Sequence, residues 1–331
     1  MGAVRSGKYA HTITDIVEYE SAALMGSNLD IHDVRAVAHL VKLCDAYGLD
    51  SMSTGGVIGF AFEAVEKGII DPPPEVKLSF GSVAGAEYLI DAIAMQNNDL
   101  GRLLGLGVKR AAARLGGDAE AFALHVKGLE VPGWAPRGTP GMGLAYMTAD
   151  RGACHQRGFM VAYEVGGKEF RGKPVDTYGL AQKAEILKGE QDYLAGLDAL
   201  VKCDFGAFGV TSRSYVRMFQ AATGRSVDAR FFDTLGERIW NQTRLFNLRE
   251  GLTPDQDRLP KRIVAEPLPG GPHKGRRISE ADMAFMLADY YQQRGWDKNG
   301  HPTEDKLQSL KLDKRIRFTI TPKPISDEKG R

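Results

Sequence analysis

The chain of 331 residues is 43% hydrophobic and 26% charged with a net charge of +1, enough apolar surface for a sizeable core in two domains, or one domain with an annex. That composition excludes bulk disorder, and the balanced charge excludes a nucleic-acid footprint. No apolar run reaches the ~18 residues of a membrane span, and three scattered cysteines, Cys44, Cys154 and Cys203, exclude a disulfide framework.

The start, MGAVRSGKYAHTITD, has no apolar h-region, so no signal peptide is expected. MGAVRS fits the loose N-myristoylation pattern, which we set aside because the next segment reads as domain interior. Helical periods then dominate. Val34, Val37, Val41 and Cys44 are spaced 3, 4 and 3, one face of a helix that Asp30 or Asp33 caps and Gly48 stops. A second helix opens after Ser53 and Thr54 and runs through Val57, Phe60, Ala61, Ala64 and Val65 to Gly68; DPPP at 71–74 is a firm breaker. Two more are predicted over 84–95 and 100–115, the latter closed by Gly116 and Gly117.

Residues 131–172 differ, being rich in glycine and proline. A stretch of this length is functional or disordered, and the interleaved Trp134, Met142, Leu144, Tyr146 and Phe159 argue against disorder. Helical pattern resumes over 175–201, 211–222, 228–248 and 280–293, with a connector, LPGGPHKG, between the last two. The charged end carries one short predicted strand over 316–320. The fold class is therefore mainly α, with a first helical domain over 1–175 holding an active-site segment at 131–172, a second over 176–311, and a tail over 312–331.

Short polar groups concentrate in CDAYGLDSMSTGG, Cys44 to Gly56. Asp45 and Asp50 bracket a glycine turn, and Ser53, Thr54, Gly55 and Gly56 form a helix start. Carboxylates accept hydrogen bonds from amino and ring N–H groups. Helix-start N–H groups bind anions, and glycines allow close approach. The corner thus offers acceptors for a heterocycle and donors for a phosphate; the competing reading is a pair of caps around a tight αα-corner. His155, within RGACHQRG, is a candidate general acid/base or a satisfied, partly buried histidine. Arg157 is a candidate phosphate clamp or a solvated charge. Asp198 lies five residues before Cys203, which alone reads as a buried apolar cysteine. Glu20 alone reads as a surface helix carboxylate. GRLLGLG follows no strand and GTPGMG precedes no lysine, so neither is a nucleotide loop. The histidines form no H-x-x-x-H pair and the cysteines no C-x-x-C, so no complete zinc or iron–sulfur motif is present in this chain.

Taken in order, EYESAALMGSN, CDAYGLDSMSTGG, VKGLEVPGWAPRG, GLAYMTADRGACH, RLFNLREGLTPDQDRLPKR, EPLPGGP and YYQQRGWDKNGHPTEDKLQSL resemble the aldehyde ferredoxin oxidoreductase family over about 290 residues. These are tungsten, sometimes molybdenum, bis-pterin enzymes. The resemblance implies the fold of that family's C-terminal helical domains in a two-domain arrangement. It implies that Asp45, Gly48, Leu49 and Asp50 are a D-x-x-G-L-D motif holding one pterin, with Ser53 at the helix start beside it. Asp198 to Cys203 stands for a second motif, D-x-x-G-L-C, with Val201 and Lys202 in place of the Gly-Leu pair. There Asp198 and Lys202, with Arg157, would hold the other pterin, and Cys203 would ligate a [4Fe–4S] cluster. By the same resemblance Glu20 and His155 face the metal as a proton-handling pair.

The family's β-rich pterin cradle and its C-x-x-C-x-x-x-C run have no counterpart in this sequence. One of four cluster thiolates is thus expected here, which leaves a separate N-terminal chain, a fragment or a misassigned start as readings. His39 stands where a family iron site between subunits would have glutamate, so no metal is expected there. Two functions remain in competition. One is oxidation of a small aldehyde to a carboxylic acid, with electrons leaving for ferredoxin or another electron-transfer protein; a related acyl-CoA ring-reducing tungstoenzyme shares the scaffold. The other is a non-catalytic fragment or helical subunit that needs a separate N-terminal chain. A cytoplasmic protein, open to homo-oligomerisation and without nucleic-acid or membrane partners, is expected in either case.

Overall fold

A computed structural model describes residues 2–15, 17–228 and 230–312. The expected strand over 316–320 and nearly all of the tail lie outside the described residues. Among these residues fourteen α-helices follow one another: α1 (Tyr19–Met25), α2 (Val34–Tyr47), α3 (Ser51–Glu66), α4 (Val83–Met95), α5 (Asp99–Leu104), α6 (Val108–Leu115), α7 (Pro140–Thr148), α8 (Val161–Glu164), α9 (Lys183–Asp198), α10 (Ser212–Thr223), α11 (Phe231–Arg249), α12 (Lys261–Ala265), α13 (Glu280–Arg294) and α14 (Glu304–Ser309). Among the described residues strand is confined to two short antiparallel ribbons, β1 (Gly2–Ala3) with β2 (Ile13–Thr14) and β3 (His125–Val126) with β4 (Leu129–Glu130). The fold is mainly helical, as the periodicity predicts.

The chain forms two compact units, and it visits each more than once. The first holds the residues up to Gly138, with Arg151–Cys154 and Leu259–Arg277; the second holds Thr139–Asp150, His155–Arg258 and the chain from Ile278 onward. The Gly/Pro-rich stretch 131–172 is therefore divided between them, and a single cut after residue 175 does not describe this packing.

The first unit is built on α1–α6. Its core includes Leu29, Leu40, Ile58, Phe62, Leu89 and Ile90, all fully buried. Asp33 caps α2 through the Arg35 N–H, and Gly48 ends the helix in the left-handed region at φ 69°. Helices α1 and α3 meet at backbone distance: a Cβ on Gly55 would lie 2.5 Å from the Leu24 carbonyl oxygen. Asn28 Nδ2 donates to the Gly55 carbonyl at 3.1 Å, and the Ser21 and Ser51 hydroxyls are 2.9 Å apart. Short side chains in this segment serve packing there. Late in the chain Arg262 on α12 forks onto Glu63 of α3, both N–O distances being 2.7 Å.

The predicted helix over 100–115 is two helices. Gly107, at φ 80°, breaks it, and Glu130 Oε1 accepts the Val108 N–H at 2.8 Å, so a distant carboxylate replaces the partner lost at the break.

In the second unit α9 packs along α11, with α7 and α13 beside α9. Gly196 and Gly236 make the α9–α11 approach possible, since a Cβ on either would run into the Phe232 or Asp192 carbonyl oxygen. A buried polar network ties α9 to α13. Arg294, fully buried, donates to Tyr290 Oη at 2.9 Å, to Gln191 Oε1 at 2.6 Å and to Asp192. A buried guanidinium is tolerable only when its donors are matched in this way.

Two corrections fall in this unit. The stretch read as irregular contains α7 and α8. Every residue of α7 is buried, so it has no polar face and no helical period to read. Its start is capped by Glu164, which accepts the Gly141 N–H at 2.7 Å and the Met142 N–H at 3.2 Å. Helix α9 starts at Lys183 and not at 175. The preceding carbonyls of Asp176 and Thr177 accept from Lys183 Nζ at 2.8 and 3.2 Å, which holds 175–182 as a wrap around the buried ammonium.

Candidate cofactor-binding site

The first corner joins α2 to α3. Gly48 N–H bonds back to the Asp45 carbonyl at 3.2 Å and Leu49 N–H to that of Cys44 at 2.8 Å. The chain then extends through Asp50 (φ −66°, ψ 117°), whose Oδ1 accepts the Ser53 N–H at 2.7 Å. Asp50 thus is a cap, the competing reading of this motif, yet it and Asp45 both stay exposed. A Cβ on Gly48 would meet nothing within 4 Å, so the corner opens outward. Cys44 faces the core; burial pushes its thiol up to about 12, and it is no candidate ligand.

The second corner follows α9 and repeats this course. Val201 N–H bonds back to the Asp198 carbonyl at 2.8 Å, Val201 takes the left-handed region at φ 54°, and Cys203 extends (φ −68°, ψ 133°) to open the 3₁₀ turn Asp204–Phe208. Position for position, Val201 stands as Gly48 does and Cys203 as Asp50 does. Cys203 is exposed, against the reading of it as a buried apolar cysteine.

The charges here are arranged around Asp198. Arg157 Nη1 donates to Asp198 Oδ2 at 2.8 Å, and its Nε lies 3.5 Å from Asp150 Oδ1. Arg157 is therefore neither a free clamp nor a solvated charge; it is held between two carboxylates. Lys202 Nζ reaches Asp204 Oδ1 at 3.2 Å. Burial, then the neighbouring Asp204 charge, raises the Asp198 carboxyl above the ordinary range, with Arg157 and Lys202 opposing.

A β-branched residue at positive φ is strained, and Val201 is 95% exposed, so no packing offsets the strain. Val201→Gly is expected to stabilise the protein by up to about 1.5 kcal/mol, relief of ~1–2 kcal/mol less glycine's ~0.5–1 kcal/mol entropic cost. Urea denaturation monitored by circular dichroism reads the shift.

Glu20 departs from the surface carboxylate that its local sequence suggests. It sits in the first turn of α1, is 6% exposed, and accepts the Gly133 N–H at 2.5 Å. Burial raises its carboxyl above the ordinary range, the Gly133 amide opposing. Nothing in the local spacing announces this burial; the glycine that contacts it lies 113 residues away.

In the second unit His155 is half-buried and lines a cavity of about 290 Å³ with Gln156, Phe159, Tyr193, Leu194 and Phe205. Lys168 and Glu190 are also in its wall; Lys168 Nζ and the Tyr163 hydroxyl both donate to Glu190 Oε1, at 2.7 and 2.5 Å. Sequence reading missed these wall residues, since no motif joins positions 168 and 190. A second hollow of about 280 Å³, lined by Gln156, Lys202, Cys203, Asp204 and Phe205, shares three of them. So His155, Arg157, Asp198, Lys202 and Cys203 belong to the second unit, while Glu20, Asp45, Gly48, Leu49, Asp50 and Ser53 belong to the first.

His39 pairs with Glu87 of α4, Nε2 to Oε1 3.3 Å, and no group of three or more histidine, cysteine, aspartate or glutamate side chains suited to a metal occurs among the described residues. Among them too, no helix is long and apolar enough to cross a membrane.

Comparison with known proteins agrees with this helical architecture. The tungsten-containing aldehyde ferredoxin oxidoreductase of Thermococcus kodakarensis is 38% identical over 305 residues, 90% of this chain and 49% of that protein. The enzyme of the same name from Pyrococcus abyssi is 37% identical over 92% of this chain and 50% of its own length. The WOR-like subunit of an aliphatic sulfonate oxidoreductase from Pyrococcus furiosus is 27% identical over 93% and 47%. The chain thus spans about half the length of the curated relatives it matches. The active-site complex of benzoyl coenzyme A reductase, solved with 1,5-dienoyl-CoA, shares the fold at a TM-score of 0.70 and 21% identity, covering 89% of this chain and 48% of that one. The family model described as aldehyde ferredoxin oxidoreductase, domains 2 and 3, matches residues 1–312, and the chain belongs to the aldehyde ferredoxin oxidoreductase family.

Proposed function

We propose that this chain forms the helical part of a tungsten or molybdenum pterin oxidoreductase that oxidises aldehydes to carboxylic acids. The observation that carries the reading is the pair of like corners. Each runs from a helix end through a left-handed residue to an extended residue, aspartate in one and an exposed thiol in the other. The open space at Gly48 and the exposed carboxylates of Asp45 and Asp50 fit a flat ligand rich in N–H donors.

Asp45, Gly48, Leu49, Asp50 and Ser53 would hold one pterin; Asp198 and Lys202 the other, with Arg157 fixing Asp198. Cys203 would give one thiolate to a [4Fe–4S] cluster whose remaining ligands come from outside this sequence. When bound, the pterin metal centre supplies oxygen transfer and accepts two electrons, which the cluster relays to ferredoxin or another carrier. Aldehyde and water become acid, two protons and two electrons, so proton removal falls to the protein. Glu20, buried and with its carboxyl raised above the ordinary range by that burial, suits a general base. His155 would orient or protonate the substrate oxygen, and the cavity beside it, walled by Phe159, Leu194 and Phe205 together with polar side chains, has room for a small organic aldehyde.

The test is to co-express the chain with the N-terminal half of a tungsten-containing relative and assay viologen reduction with aldehydes, acyl-CoA thioesters and alkyl sulfonates. Reduction with aldehydes alone is the expected result; a metal-loaded complex active only on thioesters or sulfonates, or on nothing, overturns it. In that complex Cys203→Ser should abolish the cluster absorbance and Cys44→Ser should leave it intact.

A further inference from the structure

Tyr19 and Glu20 are neighbours in the first turn of α1, and Gly133 and Trp134 are neighbours in the loop after β4. Two contacts cross between these pairs. The Gly133 N–H donates to Glu20 Oε2 at 2.5 Å. The Trp134 ring stacks on Tyr19, 4.1 Å between centroids and 21° between planes. Gly133 can approach because it has no side chain: a Cβ there would lie 2.6 Å from Ala23 Cβ and 3.1 Å from Glu20 Oε2. Tyr19 is 51% exposed, an unusual position for a large ring, so burial does not explain its placement.

We propose that the Tyr19–Trp134 stack is a clamp that holds the 131–136 loop against α1 and so keeps the Gly133 amide on the Glu20 carboxylate. Tyr19 and Trp134 are positioning residues. The stack acts outside the hydrogen bond and closes a four-residue ring around it, and aromatic pairs in this geometry attract beyond the area they bury. That this matters for turnover rests on Glu20 being the proton-handling group; the clamp itself does not.

The Gly133 N–H favours the charged form of Glu20, so its loss moves the titration of Glu20 upward. Glu18, the exposed N-cap of α1, lies two residues before Glu20. The loop from Val131 to Pro136 and α3 from Ser51 to Phe62 carry no ionisable side chain. The Tyr19 hydroxyl remains, itself raised by burial and by the Glu20 charge.

The experiment uses the full chain with glutamate labelled at the carboxyl carbon. Tyr19→Leu and Trp134→Leu are expected to speed exchange of the Gly133 amide by roughly three- to tenfold and to raise the Glu20 titration midpoint, with α2 amides unchanged. Tyr19→Phe keeps the ring and should restore both readouts to those of the parent. Emission of Trp134 gives a third reading, because Trp240 and Trp296 are buried; it should shift to longer wavelength in Tyr19→Leu. Parent-like Gly133 exchange in both leucine variants, or Tyr19→Phe behaving as Tyr19→Leu, overturns the clamp. These readouts involve no turnover, so their failure sinks the clamp alone, whereas full activity of Glu20→Gln in the assembled enzyme sinks the proton-handling role alone.

Discussion

Glu20→Gln, in the chain assembled with its N-terminal half, is expected to lower aldehyde turnover by roughly 100- to 10,000-fold, the usual contribution of a positioned acid or base. Metal and cluster content should not change. The glutamine oxygen can still accept the Gly133 N–H that Glu20 accepts at 2.5 Å, so the fold has no reason to respond. What is lost is the capacity to take a proton. In the parent the raised Glu20 carboxyl should show as an acid limb of the rate–pH profile lying above the usual carboxylate range, with activity increasing as the group ionises. That limb should vanish with the substitution. Full turnover at normal metal occupancy would remove Glu20 from the proton pathway.

The largest expected effect on stability comes from Lys183. Its Nζ lies 2.8 Å from Glu164 Oε1, and both side chains are fully buried. Lys183→Met removes one charge and leaves the other, and breaking a buried pair on one side costs about 3–5 kcal/mol. It also strips the Asp176 and Thr177 carbonyls of their donor. Burial already raises the Glu164 carboxyl while Lys183 pulls it down, so without the ammonium it climbs further. An acid with a raised folded-state pKa binds its proton more tightly folded than unfolded. Its penalty is therefore absent at low pH and grows as pH rises through the folded value. The deficit of Lys183→Met should be largest near neutral pH and shrink on acidification, and Lys183→Met/Glu164→Gln should regain much of it. Chemical denaturation at several pH values measures both; a deficit under 1 kcal/mol at pH 7 would refute the argument.

Helices α2 and α4 were legible because each turns an apolar stripe to one core, and α2 and α3 because short-range signals bound them, Asp33 and Gly48 for α2 and Asp50 for α3. Where burial surrounds an element the stripe disappears, which hid α7. The break before α6 is fixed by Glu130, 22 residues on, and no local pattern encodes a partner at that distance. The candidate site divides the same way. The turn chemistry of Asp45–Ser53 is written locally. The burial of Glu20, the capture of Arg157 by Asp150 and Asp198, and the cavity wall beside His155 arise only when distant segments meet.

Glu63 on α3 receives both arms of Arg262, 199 positions later. At a synthesis rate of ~5–20 residues per second, Glu63 waits roughly 10–40 s on the ribosome before that partner exists. During this interval the first compact unit lacks its Leu259–Arg277 segment, and from Thr139 to Arg258 the chain belongs to the other unit except at Arg151–Cys154. Nascent Glu63 must therefore wait without the guanidinium that pairs with it. A truncation made between the two visits would cripple both units together, so neither can be harvested from this chain by one proteolytic nick.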